Sequence, residues 1–194
     1  MRQEERTKAT RGAVIRAADA LFAQRGYADT SIADILGEAK VTRGALYHHF
    51  NGKEEIFEAV FKAREAALVE IVLRATLGGA TAWDRLKQGC HAFLEACLDP
   101  SVQQIVLIDA WSVLGFEAIR RIEQRYTYAL LRRGLANAVK EGAVSVSNVD
   151  AMANMLLGAI SQCAMAIARS SRPKKLLAEA KQDVDRLLDG LARE

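Results

Sequence analysis

Residues 31–50 read SIADILGEAKVTRGALYHHF, and this stretch decides the fold of the first part of the chain. Ser31 is followed three positions later by Asp34, the spacing of a capping box at a helix N-terminus. The chain then turns after Lys40, and Thr42 is placed to cap another short helix. The stretch therefore predicts two short helices joined by a tight turn.

An amphipathic helix is predicted upstream of this pair. Its apolar residues recur at three- and four-residue steps: Val14, Ile15, Ala18, Leu21 and Phe22. Gly26 would end it, because glycine readily adopts the left-handed conformation of a helix cap. Three helices whose last two are short form a helix-turn-helix, which places its second short helix in the DNA major groove. Periodicity alone would also fit any other small three-helix bundle.

The rest of the chain also predicts helices, broken at glycine and proline positions. The predicted ranges are 53–76, 82–98, 101–114, 116–141, 149–170 and 173–192. The fold class is therefore all-α, with about nine helices. We expect a DNA-binding head at 1–53 and a larger helical ligand-binding and dimerisation body at 54–194.

Composition limits the class of protein only loosely. The 194 residues carry a formal net charge of +3, which is weak evidence for a nucleic-acid partner. Three cysteines without framework spacing indicate reduced thiols and a cytoplasmic location. No signal peptide is recognised at the N-terminus. The uncharged run 151–168 is only marginally apolar enough for a bilayer, so we expect a buried helix and no membrane contact.

Individual residues of the first part are more specific than its periodicity. A continuous set of them resembles the N-terminal signature of the TetR (tetracycline repressor) family, within residues 11–55: Val14-Ile15, Ala17-Ala18, Leu21-Phe22, Gly26-Tyr27, Thr30-Ser31, Ile35, Glu38-Ala39, Val41-Thr42, Gly44, Leu46-Tyr47, His49-Phe50 and Lys53-Glu54. The chain departs from the family at Lys40, where glycine is usual, and at Gly37, where a polar residue is common. The resemblance implies a dimeric repressor, released from a near-palindromic DNA operator by a small-molecule effector.

The candidate DNA-binding residues lie in and around the two short helices. They are Thr30, Ser31, Thr42, Arg43, Gly44, Tyr47, His48, His49 and Lys53. Arg43 suits a guanine edge or a phosphate, and Gly44 lets the backbone approach the groove. The resemblance implies phosphate contacts for His49 and Lys53. Thr42 can be a plain helix cap, and Lys53 a plain surface lysine.

The basic residues of the N-terminal arm have two open interpretations. Arg2, Arg6, Lys8 and Arg11 can reach an adjacent minor groove, or can belong to a solvated tail.

The middle helices of this family enclose a ligand pocket. Aromatic residues could line it here, and the candidates are Phe93, Asp109, Trp111 and Phe116. Asp109 lies in the apolar run 105–111, where a carboxylate is costly unless it is paired. It therefore either contacts the ligand or pairs with Arg120 or Arg121.

The last two helices are expected to form the homodimer interface. The run 151–168 is rich in small residues, and the next helix carries a stripe at three- and four-residue steps: Leu177, Ala180, Val184, Leu187 and Leu191. Both stripes can instead face the subunit's own core.

Other functional classes find less support. The sequence contains no Ser-His-Asp arrangement, phosphate-cradling glycine loop or HExxH motif, so no enzyme is expected. Cys90 and Cys97 are two helical turns apart, and neither a metal nor a cofactor is expected. A helical interaction module that has lost DNA binding would lack salt-dependent DNA affinity. Activation in place of repression would depend on where the operator lies.

Overall fold

The computed structural model describes the backbone of residues 2–192 and the side chains of residues 4–192. This part of the chain forms ten helices and no strand beyond one antiparallel bridge, Val144 to Ala192. The helices are α1 (Arg2–Arg25), α2 (Ile32–Ala39), α3 (Arg43–Tyr47), α4 (Lys53–Ala75), α5 (Ala82–Ala96), α6 (100–113), α7 (Gly115–Glu123), α8 (Thr127–Lys140), α9 (Val149–Ala168) and α10 (Pro173–Asp189). The all-α prediction, with a helix-turn-helix head on a larger helical body, is confirmed.

The local signals of the head act as predicted. The Asp34 main-chain N–H donates to Ser31 Oγ at 3.1 Å, and the Ser31 N–H donates to Asp34 Oδ2 at 2.8 Å, which completes the capping box. Thr42 Oγ1 accepts a hydrogen bond from the N–H of Ala45 at 3.2 Å. Gly26 ends α1 with φ +77°, as a left-handed helix cap requires.

A core of aromatic and aliphatic side chains holds the three head helices on the long helix α4. Phe22 of α1 and Phe57 of α4 pack edge to face with ring centroids 5.3 Å apart. Ile35 of α2 and Leu46 of α3 are fully buried beside them. Because α4 continues from this cluster into the body, head and body share one continuous apolar core.

Helix α6 is irregular. Its centre, Gln103–Asp109, is π-helical, and α-helical turns Pro100–Val102 and Ala110–Val113 flank it. Its neighbours are α1, α4 and α9, so it lies where the head meets the body. Such π-helical turns are rare and are often found at functional sites.

The prediction of a single helix over 116–141 is wrong. The chain breaks between α7 and α8, where Tyr126 has φ −123° and ψ −104°. Neither glycine nor proline marks this break. A long-range contact accompanies it, because the hydroxyl of Thr127, the first residue of α8, donates to the buried Glu65 carboxylate at 2.7 Å.

The stripe predicted as a dimer seam on the last helix faces mainly inward. Leu177, Ala180 and Val184 are buried against their own subunit, whereas Leu187 is 51% exposed. Ala164 of α9 is fully buried as well. By length and composition α9 could cross a membrane, but here it packs against α8 and α10. Of the two interpretations of the stripe, these positions favour an internal one.

Candidate DNA-binding surface and internal cavities

Helix α3 separates its apolar side chains from its polar ones. Leu46 is fully buried and anchors the helix to the head. Arg43, Gly44 and His48 are exposed, and Tyr47 is 45% exposed. No atom lies within 4 Å of the position that a Gly44 side chain would take. The helix therefore presents guanidinium, phenol and imidazole groups around an open backbone.

Two predicted contacts at the start of α2 have different positions in the structure. Ser31 is exposed, and its hydroxyl donates to Asp34 Oδ2 at 2.6 Å. Thr30 is fully buried, and its hydroxyl donates to the carbonyl of Gly26 at 2.8 Å. The prediction of a DNA contact by the Thr30 side chain is therefore wrong, because that side chain ties the turn after α1 to the helix.

Lys53 makes contacts within the head. Its ammonium donates to the carbonyls of Tyr27 at 2.8 Å and Thr30 at 2.9 Å, and it lies 4.1 Å from the centroid of the Tyr27 ring. The side chain thus ties the start of α4 to the turn after α1. A phosphate contact by Lys53 stays a prediction beside this structural role, and His49, which is half-buried, also stays a prediction.

The basic arm is helical along its described part. Arg6, Lys8 and Arg11 belong to α1, and all three are exposed. The Arg11 guanidinium lies 5.2 Å from the centroid of the Phe50 ring, which places this charge beside the end of the recognition segment. The side chain of Arg2 lies outside the described residues.

Asp109 joins the body to the head. Its Oδ2 accepts a hydrogen bond from the main-chain N–H of Tyr27 at 2.8 Å, and its Oδ1 accepts one from Gln104 Nε2 at 3.0 Å. The i→i+5 spacing of a π-helix brings Gln104 and Asp109 together. Glycine is favoured at position 26 by its φ of +77°, and a side chain there would lie 3.1 Å from Gln104 Nε2. The predicted pairing of Asp109 with Arg120 or Arg121 is not found, because Arg120 pairs with Glu123 and Arg121 with Glu58. Asp109 lines neither cavity described below, and a ligand contact by Asp109 stays a prediction.

A second joint between α1 and the body is an ion pair. Arg64 of α4 donates from Nε to Asp19 Oδ1 at 2.5 Å and from Nη2 to Asp19 Oδ2 at 2.8 Å. Its Nη1 donates to Ser101 Oγ on α6 at 2.8 Å. One guanidinium therefore links α1, α4 and α6, in the bidentate geometry that makes arginine–carboxylate pairs strong.

Two cavities of the body are formed by the described residues. The larger, of about 190 Å³, is lined mainly by aliphatic side chains of α4, α5, α8 and α9, among them Leu86, Leu130 and Ile160. The smaller, of about 30 Å³, is lined by polar groups as well, including Glu65, Glu123 and Ser161. Three residues line both cavities: Phe93, Thr127 and Leu157.

The predicted aromatic lining is only partly found. Phe93 lines both cavities, and Trp111 lines the smaller one. Phe116 is 58% exposed and lines neither; instead its ring stacks on Trp111 with centroids 6.5 Å apart. Neither cavity supports a ligand contact by Phe116, which stays a prediction.

Sequence reasoning missed Glu65, the buried carboxylate of the smaller cavity. It is 2% exposed, and burial raises its pKa from 4.5 to about 7. A signal was present in the sequence: Glu65 lies four residues after Phe61 and three before Leu68, on the apolar stripe of α4. A carboxylate at such a position either has a partner or serves a site.

Comparisons with known proteins agree with this architecture. Residues 14–60 match the family described as bacterial regulatory proteins, tetR family, and residues 83–191 match the tetracyclin repressor-like C-terminal domain. The chain belongs to the TetR family. A TetR-family transcriptional regulator from Pectobacterium atrosepticum is 32% identical, with a TM-score of 0.83 over 98% of this chain and 97% of that one.

Curated relatives belong to the same class. The HTH-type transcriptional regulator CymR of Pseudomonas putida is 45% identical over 72% of this chain and 70% of its own length. The transposon Tn10 TetC protein of Escherichia coli is 25% identical over 80% of this chain and 79% of its own length. This TetR-family chain is accordingly a helix-turn-helix transcriptional regulator and belongs to no enzyme class.

Two of the three thiols of this TetR-family chain, Cys90 and Cys97, are buried and are poor candidates for redox chemistry. Burial raises the pKa of Cys90 to about 12 and that of Cys97 to about 12, so both are protonated at neutral pH. Within the described residues, no group of three or more His, Cys, Asp or Glu side chains could hold a metal ion.

Proposed function

We propose that this regulator is a dimeric repressor that a small-molecule effector releases from a near-palindromic operator in the cytoplasm. The observation that carries the proposal is the division of α3, with Leu46 buried while Arg43 and Tyr47 face outward around the open backbone of Gly44. The major groove of DNA accommodates a helix whose apolar side is packed against the protein and whose polar side is exposed.

Contacts to DNA would divide between base edges and backbone. Arg43 can bind a guanine edge in two-pronged fashion, and His48 and Tyr47 extend the same exposed surface. Ser31 would reach the flanking phosphates, with Thr42 and His49 at either end of α3. Arg6, Lys8 and Arg11 would add charge along the exposed side of α1.

Selection of bound sequences from a random DNA pool tests the DNA part of the proposal. We expect a near-palindrome whose half-sites lie about 34–36 Å apart, since two symmetric recognition helices span about one turn of DNA. Arg43→Ala should relax the preference at one base pair of each half-site, at a cost of ~1–3 kcal/mol. Arg16→Ala, an exposed arginine farther along α1, serves as the matched control. If the selection enriches no sequence, the proposal of sequence-specific DNA binding is contradicted.

We place the dimer interface on the outward faces of α9 and α10. Met155 is 60% exposed and Gly158 and Ala159 are exposed on α9, while Leu187 is 51% exposed on α10. Exposed apolar groups among small residues form a surface on which a partner helix can pack closely. Ala164, fully buried in its own subunit, is no part of this face.

Gly158→Leu tests the interface without disturbing the subunit. Apart from its chain neighbours and the backbone of its own helix, no atom lies within 4 Å of the position that a Gly158 Cβ would take. We therefore expect a folded protein that sediments as a monomer, whereas Ala67→Leu, at an exposed position on α4, should remain a dimer. A dimeric Gly158→Leu protein would place the interface elsewhere.

The larger cavity is the proposed effector site. An engineered apolar cavity of about 150 Å³ holds benzene, so a cavity of about 190 Å³ has room for a ring with a small substituent. Two solved structures of the same fold contain ligands: RolR with resorcinol, at 17% identity and TM-score 0.68, and FadR of Bacillus subtilis with stearoyl-CoA, at 20% identity and TM-score 0.75. These likenesses support the fold as a scaffold for effectors.

Coupling from cavity to DNA would pass through α4 and α6. Helix α4 lines the cavity with Val72, begins at Lys53 and carries Arg64 near its middle. We retain the division into a head at 1–53 and a body at 54–194, with α4 as the lever between them. An effector that favours wrongly spaced heads would weaken DNA binding roughly 5- to 150-fold, the usual range of allosteric coupling.

A further inference from the structure

The most unusual group in the body is the carboxylate of Glu65. It is 2% exposed, and its hydrogen bonds come from Thr127, whose Oγ1 donates to Oε2 at 2.7 Å and whose main chain also donates to the carboxylate. Among the described residues no lysine, arginine or histidine forms an ion pair with it. Burial of a carboxylate without a cation is energetically costly. Groups with strongly perturbed pKa values are concentrated at functional sites.

The charged residues near Glu65 are either acidic or already paired with other residues. Glu123 of α7 raises the pKa of Glu65 by like-charge repulsion, and Glu65 in turn raises the pKa of Cys97. Arg120 is the cation on this side of the body, but it lies 3.6 Å from Glu123 and donates to Asn154. Arg64, one residue before Glu65, is held by Asp19 and Ser101. Among the described residues, the lining of the smaller cavity has two carboxylates and no lysine, arginine or histidine.

The two cavities have the size and the lining to hold a ligand with a small cationic group and an apolar ring. Glu65 and Glu123 both line the smaller cavity, whose 30 Å³ corresponds to about one water molecule or one ammonium group. The larger cavity is mainly apolar, with Arg85 and Arg133 also in its lining. Phe93, Thr127 and Leu157 line both cavities. A ligand with an apolar ring in the larger space could therefore direct one small polar group past Thr127 toward Glu65.

We propose that the effector is an organic cation, with an apolar body of about one ring in the larger cavity and a protonated amine that pairs with Glu65 and Glu123. The proposal rests on the effector-responsive function above and adds the chemical class of the effector. An amine would supply the missing counter-charge and displace the proton that burial favours on Glu65. An anion would add a third negative charge beside Glu65 and Glu123, whereas Arg85 and Arg133 line only the larger cavity. We therefore expect the polar end of the site to prefer an amine over a carboxylate or a phosphate.

Three ligands of similar size and different charge test the proposal: benzylamine, benzyl alcohol and benzoate. Calorimetric titration at pH 7.5 should show benzylamine binding about tenfold more tightly than benzyl alcohol, the ratio that corresponds to one pKa unit. Benzoate should bind more weakly than either of the other two compounds. In two buffers of different ionisation enthalpy, benzylamine binding should release protons, and it should release more at pH 6 than at pH 8.

Glu65→Gln separates the charge from the shape of the site. The amide can still accept the hydrogen bond from Thr127, and we expect this variant to lose the preference for benzylamine and the proton release. Glu70→Gln, an exposed carboxylate on the same helix, should retain both. If Glu65→Gln does not fold, the wild-type protein at pH 5 supplies the same comparison, because protonation of Glu65 should remove the preference.

Three results would overturn the inference: equal binding of amine and alcohol, a preference for the amine that survives in Glu65→Gln, and no binding of any of the three compounds at millimolar concentration. Operator binding is measured separately. If benzylamine binds through Glu65 but leaves operator affinity unchanged, the site assignment stands and the effector-release function fails. If benzyl alcohol releases the operator independently of Glu65, the function stands and the cationic effector is wrong.

Discussion

Asp109 Oδ2 accepts the main-chain N–H of Tyr27 at 2.8 Å, although 82 positions of sequence separate the two residues. Tyr27 follows the left-handed Gly26 that ends α1, and Asp109 ends the π-helical part of α6. The Asp109 carboxylate of the body thus accepts a hydrogen bond from the N–H that follows the last turn of α1 in the head. The relative position of α1 and α6 depends on this hydrogen bond and on the Arg64–Asp19 pair.

Asp109→Ala should loosen this joint. A hydrogen bond to a charged group contributes about 1.5–3 kcal/mol, and we expect a loss of unfolding free energy in that range. Amide hydrogen exchange at Tyr27 should accelerate more than exchange in the core of α4. Glu117→Ala, at an exposed carboxylate of α7, provides the control. An unchanged exchange rate at Tyr27 would show that the hydrogen bond does not hold the joint.

Gly44→Ala should separate DNA binding from stability. Neither Gly44 nor Gly37 has an atom within 4 Å of its missing side chain, so alanine fits at both positions within the protein. Alanine favours helix over glycine by up to about 1 kcal/mol, and both variants should melt at or above the wild-type temperature. Only Gly44→Ala should weaken operator binding, because its methyl group would face the groove. Equal DNA affinities for the two variants would contradict the assignment of Gly44.

Lys53→Ala distinguishes a phosphate contact from a structural one. The ammonium holds the carbonyls of Tyr27 and Thr30, so we expect the variant to lose about 1.5–3 kcal/mol of stability. Operator affinity is then measured against salt concentration, below the unfolding temperature of the variant. An unchanged slope assigns Lys53 to the protein's own turn, and a slope lower by about 1 assigns it to a phosphate.

Lys40→Gly should stabilise the head. Lys40 has φ 53°, the one left-handed conformation among the described residues other than glycine. That conformation costs roughly 1–2 kcal/mol for a residue with a side chain, and glycine avoids it. Glycine also loses more entropy on folding, so the net gain in unfolding free energy should be about 1 kcal/mol or less. A destabilised Lys40→Gly protein in urea unfolding would show that the lysine side chain contributes contacts that outweigh the strain.

Glu65 should make stability fall as pH rises. Burial raises its pKa from 4.5 to about 7, so between these values the folded protein binds a proton that the unfolded chain has lost. The contribution is fully present below pH 4.5 and is lost as pH rises through about 7. Glu65→Gln should flatten this dependence and, at pH 8, be more stable than wild type by on the order of 3 kcal/mol.

Urea unfolding at several pH values between 5 and 8 measures this difference. Glu123, whose pKa burial also raises, contributes with the same sign and leaves a smaller slope in the variant. The exposed Glu70→Gln should follow the wild-type curve. Parallel curves for wild type and Glu65→Gln would show that Glu65 titrates as an ordinary surface carboxylate.

Much of the head can be predicted from the sequence because its signals are local. The Ser31–Asp34 capping box, the Thr42 cap and the Gly26 terminus each depend on residues within four positions of one another. Backbone sterics and unsatisfied N–H groups at helix ends allow few alternatives at such spacings. The apolar stripes of α1 and α4 follow from the 3.6-residue helical period in the same way.

Long-range partners decided the rest. Thr30 and Lys53 matched DNA-contacting positions, yet the packing of α1, α2 and α4 directs one to the Gly26 carbonyl and the other to the Tyr27 carbonyl. No spacing in the sequence brings Asp109 to Tyr27, or Thr127 to Glu65, because those contacts depend on how helices far apart in the chain pack. The sequence by itself determined most of the helices and the helix-turn-helix of the DNA-binding head. Tertiary packing decided which polar side chains remain exposed for DNA, which ones join the head to the body, and which carboxylate faces the cavity.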